Sequence, residues 1–318
     1  MIKSLFKSLR STLMPAVAAG VMAFGAVGSA QASLAAAVPS GPFNALVFGD
    51  YRSWNADTYG GLIVGGKVNL DTYGVNSQSA STFGLWTGGG GTLNNGHVWG
   101  HMTSNVNLTM AGITGGQVFD AGDASRLAHM QRYYTGLSTT LAGDATARLA
   151  VRDPYSGLVF NADRAATRHV FNVNASDLPA VRVLDIRNID PGEELILNIL
   201  GSYADFSNLD LSYSLGAYRT LLNYVDATLV NFRYTAPWAD VLAPLATIIG
   251  ESGHIEGTVV AAGFDSQIEL HMGRSDFWNV PGNAVPVPGS LPLTALALFA
   301  LAWVRRQSRD QVKLPNNA

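Results

Sequence analysis

Phe43-Asn44-Ala45-Leu46-Val47-Phe48-Gly49-Asp50 and, shortly after it, Gly61-Leu62-Ile63-Val64-Gly65-Gly66-Lys67-Val68-Asn69-Leu70 set the pattern of this chain. Each run of apolar residues stops at glycine, asparagine or aspartate, the punctuation that strands and tight turns require. His97-Val98-Trp99-Gly100, Asn105-Val106-Asn107-Leu108 and Gly115-Gly116-Gln117-Val118-Phe119 continue the pattern. Val68-Asn69-Leu70 and Val106-Asn107-Leu108 echo one another, as the coils of a solenoid would, although the period is irregular.

Further along, the chain is more continuously strand-like. Leu158-Val159-Phe160, His169 to Val173, Val181 to Ile186 and Leu195 to Ile199 are successive candidates, with Asp190-Pro191-Gly192 as a turn before the last. Thr228 to Val230, Thr247 to Ile249, Ile255 to Ala261 and Gln267 to Leu270 follow. One segment differs. Leu127, Met130, Tyr134, Leu137 and Leu141 recur every three or four residues, an apolar stripe on one helix face, with Asp123 as N-cap and Gly143 as stop. The stripe reads as a packing face against a sheet.

Composition narrows the class. Of 318 residues, 47% are hydrophobic and only 14% charged, which disfavours disordered, coiled-coil and nucleic-acid-binding chains. With no cysteine there is no disulfide framework, thiol nucleophile, zinc ribbon or iron–sulfur site.

Both ends read as addresses. Lys3, Lys7 and Arg10 precede an apolar run, Leu13 to Gly28, that leads to Ala30-Gln31-Ala32. Basic, apolar and A-x-A regions in that order make a signal peptide over residues 1–32, cleaved after Ala32. A membrane helix is the competing reading, against which stand Pro15, Gly20 and Gly25. At the other end Pro286, Pro288 and Gly289 introduce Leu291 to Val304, then Arg305 and Arg306. That segment is shorter than the ~20 residues of a comfortable membrane span. Without the basic residues of both ends the body holds 13 basic and 22 acidic residues, net −9. Such a body disfavours binding to nucleic acid or anionic lipid.

The proline-rich element, apolar segment and arginine pair over residues 285–306 resemble the PEP-CTERM sorting signal of Gram-negative bacteria, followed here by a polar tail, 307–318. Val287 stands where that family has a glutamate. A plain C-terminal anchor is the alternative. The resemblance implies an exosortase-type processing enzyme as partner, a membrane intermediate held by the C-terminal segment, and release to the cell surface or extracellular matrix.

The body, residues 40–280, resembles the choice-of-anchor A family of exported surface domains. Phe43 to Tyr51, Asp57-Thr58-Tyr59-Gly60-Gly61, Val64 to Leu70 and Tyr73-Gly74-Val75 carry the likeness. So do Asn223 to Thr228, Val241-Leu242-Ala243-Pro244, Gly253 to Ala261 and the closing Glu269-Leu270-His271 with Phe277. Leu245-Ala246 stands where the family usually has Asn-Ala. The family implies a mainly β, right-handed β-helix or solenoid-like domain with an adhesive role. The strand–helix–strand order is also similar to that of bacterial ice-binding proteins, which implies one long amphipathic α-helix packed along the side.

Residues that could carry chemistry are few. No Gly-x-Ser-x-Gly is present, and Gly250-Glu251-Ser252-Gly253 lacks the spacing. Gly88-Gly89-Gly90-Gly91 lacks the Lys-Ser/Thr of a phosphate loop and reads as a turn. His97 and His101 lie four apart and would share a face on helix or strand, but no third ligand is near in sequence. Asp50 and Asp57 read as turn-capping residues first and as paired carboxylates or calcium ligands second. Glu269 and His271 share a strand face and could form an acid–base pair, although no nucleophile accompanies them. Thr72, Tyr73, Thr82, Trp86 and Trp99 could make a flat face for carbohydrate or ice. The expectation is therefore a non-enzymatic, exported surface or matrix protein without catalytic, cofactor or metal residues. A carbohydrate- or ice-binding module that takes an extracellular polysaccharide or surface polymer is the alternative. A hydrolase of extracellular polymer ranks last.

Overall fold

The short apolar runs do become strands, and glycines or left-handed residues turn the chain between them. The computed structural model describes residues 43–273 apart from 80–81, 120–123, 154, 156 and 210, all within one unit, Pro39–Val280. The first seven strands are β1 (Phe43–Val47), β2 (Tyr51–Thr58), β3 (Gly61–Val64), β4 (Val68–Val75), β5 (Phe83–Thr87), β6 (Gly91–Ser104) and β7 (Leu108–Phe119). Helix α1 (Ala124–Ala142) follows. Next come β8 (Arg148–Leu149), β9 (Val151–Arg152), β10 (Gly157–Asn161), β11 (Arg168–Asn174), a 3-10 helix (Ala175–Ala180) and β12 (Val183–Arg187). After β13 (Glu194–Leu200) and β14 (Tyr203–Asp205), helix α2 (Ser212–Leu215) is a single turn. The last strands are β15 (Arg219–Tyr224), β16 (Leu229–Asn231), β17 (Asp240–Gly250), β18 (His254–Glu256), β19 (Val259–Ser266) and β20 (Glu269–His271).

Every pairing in the large sheet is parallel, and seven of its strands close a ring. β1 pairs with β3, β3 with β5, β5 with β6, β6 with β4, β4 with β2, β2 with β19, and β19 again with β1. This is a closed parallel barrel, with the other strands of the sheet continuing outside it. β9, β10 and β12 make a separate three-stranded sheet. The expected right-handed β-helix with one long helix is corrected on both counts. β6, 14 residues long, pairs with β4, β5 and β7, and β19 pairs with β1 and β2, so pairings that would run open in a solenoid meet. Among the described residues the helices are three, and the longest spans 19 residues.

A corner shared by four strands shapes one side. Trp54, Asp71, Asn94 and Ala111 are in register, and the residue after each is left-handed: Asn55, Thr72, Asn95 and Gly112. Asparagine and glycine accept positive φ readily, whereas Thr72 (φ 54°) is β-branched and held there by its neighbours. The bend therefore recurs at one level across β2, β4, β6 and β7. Pro244, inside β17, lies where the register to β19 shifts, the position a strand proline tolerates.

Inside, aromatic rings fill the space between strands. Tyr51 lies flat on Phe264 (4.5 Å between centroids), and its hydroxyl meets that of Tyr73 at 2.7 Å. Burial pushes both phenols well above their ordinary pKa, so both stay neutral. Tyr224 is fully buried too, but its hydroxyl has no hydrogen-bond partner among the described residues. Tyr224→Phe removes an unpaired polar group, so thermal melting is expected to show no loss and a gain of up to about 1 kcal/mol. Tyr51→Phe removes its hydrogen bond to Tyr73 and is expected to cost about 1 kcal/mol.

Helix α1 buries Met130, Tyr134 and Leu141, with Leu127 and Leu137 half-buried, the stripe read from the sequence. It is also pinned by polar groups. Asn172, Asn198 and Asn223 stack in register on β11, β13 and β15. Asn223 Nδ2 donates to Asn198 Oδ1 (2.8 Å), and Asn198 Nδ2 donates to Asn172 Oδ1 (3.0 Å). The same ladder reaches the helix: Ser138 Oγ donates to Asn223 Oδ1, Asn223 Nδ2 to Ser138 O, and Asn198 Nδ2 to Leu141 O. Gly136 lies in this helix facing open space, with no neighbouring atom within 4 Å of where a Cβ would sit. Gly136→Ala is expected to stabilise by about 1 kcal/mol, read as a raised urea midpoint at unchanged m-value.

Candidate functional site

Strand register assembles a polar cluster. β18 and β20 run parallel with His254 opposite Glu269, Ile255 opposite Leu270 and Glu256 opposite His271. Ile255 and Leu270 are wholly buried, so alternation turns the two outer pairs the other way. His-x-Glu on one strand therefore meets Glu-x-His on the next. His271 is at the centre. Its Nδ1 is 2.8 Å from Glu256 Oε1 and its Nε2 is 3.1 Å from Glu269 Oε2. His254 Nε2 is 3.6 Å from the same Glu256 oxygen. The His271 ring is stacked with His254 (4.5 Å) and with Tyr59 (4.1 Å).

Fixed backbone holds the cluster. Asn44, 1% exposed, donates through Nδ2 to the carbonyls of Gly257 (3.1 Å) and His271 (2.9 Å) and accepts from Gly60 N (2.8 Å). One amide thus ties β1 to β20, to the residue after β18 and to the turn after β2. Partial burial lowers the pKa of His254, and the neighbouring His271 lowers it further, against an opposing pull from Glu256 and Glu269. Tyr59 is raised, by burial and by the surrounding carboxylates.

The outward rows continue over the next strands. Thr58, buried, pairs with Leu270, so Asp57 and Tyr59 flank it beside Glu269 and His271. Asp57 pairs with Gly74, and Gly74 with His97. Gly74 has no side chain, and the space above it opens into a shallow groove lined by Asn55, Asp57, Tyr59, Thr72, Gln78 and Glu269. Trp99 borders that floor, with its Cζ3 3.3 Å from where a Gly74 Cβ would sit. His97 lies 4.0 Å from the Trp99 ring and shares a 2.7 Å hydrogen bond with Thr114. Amides, carboxylates and an aromatic face around an open groove can bind hydroxyl-rich ligands.

Glu269 and His271 are brought together as their spacing suggests. Asp50 and Asp57 serve different places. Asp50 Oδ1 accepts from Lys67 N at 2.7 Å, capping a turn, whereas Asp57 accepts from Ser77 Oγ at 2.8 Å beside the cluster. His97 and His101 lose their common face because Gly100 (φ 93°) and a register shift intervene. Gly88 to Gly91 form the β5–β6 turn, with Gly90 and Gly91 at positive φ. The aromatic and threonine set does not make one face: Tyr73 is in the core, Trp86 is half-buried, and Thr72, Thr82 and Trp99 are exposed.

His254, Glu256, Tyr59, Asn55 and Gln78 are not among the residues that sequence reasoning picks out for chemistry. The signal for two of them is present as His254-x-Glu256, a same-face pair resembling Glu269-x-His271 in reverse. Ala30, Ala32, Pro286, Pro288, Gly289, Arg305 and Arg306 lie outside the described residues. Among the described residues no helix is long and apolar enough to cross a membrane.

No curated protein and no solved structure matches the chain. A family model does, over residues 36–272, under the description "Putative Ice-binding-like adhesive domain". The match takes in every described strand, from β1 to β20, and the chain belongs to this ice-binding-like adhesive domain family.

Proposed function

We propose that the protein is an exported, non-enzymatic surface adhesin of a Gram-negative bacterium, delivered by its N-terminal signal and sorted by an exosortase-type system at its C-terminus. The adhesive-domain match over 36–272 carries this reading, because it fills the space between Ala30-Gln31-Ala32 and the Pro286 to Arg306 segment. An acidic body with a polar groove suits contact with a hydrated polymer at a surface. Cell fractionation with intact-mass measurement tests it. The expected product lacks residues 1–32, is found at the surface or in the matrix, and has lost the segment beyond Pro286. A full-length cytoplasmic protein would overturn the proposal.

A second reading, polysaccharide binding, is favoured by the groove. Tyr59 and Trp99 supply aromatic surface, while Asn55, Asp57, Thr72, Gln78 and Glu269 supply hydrogen-bonding groups around a floor cleared by Gly74. Ice would need a flat, regular array, and the outward row of Glu269, Asp57, Gly74, His97 and Thr114 is neither. Gly74→Phe fills the groove floor and should abolish retention on the producer's own exopolysaccharide. Unchanged retention would remove the groove from consideration.

A further inference from the structure

We propose that His254, Glu256 and His271 form a binding site for one divalent transition-metal ion of the zinc class, with Glu269 orienting His271 from behind. Each of the three side chains offers a donor atom within 4.8 Å of the other two, and Nε2 of His254 and Nδ1 of His271 both approach Glu256 Oε1. Two of the separations are 2.8 and 3.6 Å. Atoms coordinated to zinc at about 2.0–2.2 Å in a tetrahedron lie about 3.3–3.6 Å from each other, so small side-chain movements close the site.

The second nitrogen of His271 strengthens the case. A metal-bound histidine almost always donates its other N–H to a carboxylate or carbonyl, which fixes tautomer and ring orientation. Here Nε2 faces Glu269 Oε2 at 3.1 Å while Nδ1 faces the would-be ion. The Asn44 hydrogen bond to the His271 carbonyl holds the backbone on which that geometry depends. Two nitrogen donors select zinc, cobalt or nickel over calcium and magnesium, which prefer all-oxygen shells.

The site is also accessible. The side chains of His254, Glu256 and His271 are 32%, 23% and 14% exposed, enough for an ion to enter. His254 now lies flat against His271, so coordination swings its ring out of that stack. The ion would join β18 to β20 and leave a fourth position open for water or an oxygen of a surface polymer.

The test uses the purified exported protein, stripped with a chelator and titrated with zinc chloride by calorimetry, alongside melting curves. One zinc per chain is expected, with a higher melting temperature that a hundredfold excess of calcium does not reproduce. His254→Asn and Glu256→Gln should each lower zinc affinity at least a hundredfold, and Glu269→Gln about ten- to a hundredfold. Melting in chelator controls for folding, and His254→Asn, at a partly exposed position, should match the parent there. If His254→Asn folds normally and still binds zinc as tightly as the parent, or if the parent binds no zinc, the site does not exist.

Discussion

Gly91→Ala is expected to cost about 4 kcal/mol or more, and the variant should be largely unfolded or insoluble. A methyl group there would sit 1.9 Å from the carbonyl oxygen of Val68 and 2.8 Å from Val68 N and C. Those are backbone atoms of β4, which is paired with β2 on one side and β6 on the other and cannot retreat. The φ of 130° at Gly91 adds a second penalty, since residues with a side chain rarely adopt it. Collision and backbone strain act together, which places the effect among the largest that single substitutions produce. Urea titration against the Gly136→Ala variant gives the contrast. A soluble Gly91→Ala protein within about 1 kcal/mol of the parent would show that β6 enters the sheet differently.

Asn198→Leu is expected to lose about 3–5 kcal/mol, although it exchanges a polar residue for an apolar one in a core position. Asn198 is fully buried and serves three partners. Leucine would leave Asn172 Oδ1 and one proton of Asn223 Nδ2 without it, each at about 1–3 kcal/mol where burial is complete, and would take from the Leu141 carbonyl one of its two donors, the other being Asp144 N. Because two of the ladder's members hold α1, the loss should be uneven. Amide exchange in residues 130–142 should accelerate more than in β4 or β6. Uniform acceleration throughout would mean that the ladder supports the sheet and not the helix.

Much of the strand pattern is legible in the sequence because it rests on local chemistry. β1 and β3 are apolar runs closed by glycine, and α1 shows its buried stripe directly. β2 is not legible. Its sequence, Tyr51 to Thr58, mixes arginine, asparagine and aspartate with a left-handed break at Asn55, so alternation is interrupted midway. The echo between Val68 and Val106 misleads, since it is Leu108 that comes into register with Gly91 and Val68, while Val106 is exposed. Ring closure is out of reach too. It needs Ala45 to pair with Val259, and nothing local to either residue announces the other.

The same division runs through the candidate site. Glu269 and His271 are two apart on one strand, so their shared face can be read from spacing alone. His254 and Glu256 carry the same signal, but their meeting with His271 depends on which strands adjoin, which is a matter of register. Spacing offers Asp50 as the partner of Asp57, whereas pairing of β2 with β20 puts Asp57 beside Glu269 and His271 instead.

The pairing of β1 with both β3 and β19 also governs when the molecule can become itself. Its first strand finds one neighbour almost at once and must wait for the other until Val259 to Ala261 have been delivered. Contacts between segments so distant in sequence form late and slowly, since the intervening chain must first be drawn together. For a polypeptide threaded amino end first through a translocase, as the proposed export requires, closure of the ring becomes a consequence of completed passage. Strands β1 to β6 can pair among themselves earlier, but the ring stays open until β19 has followed.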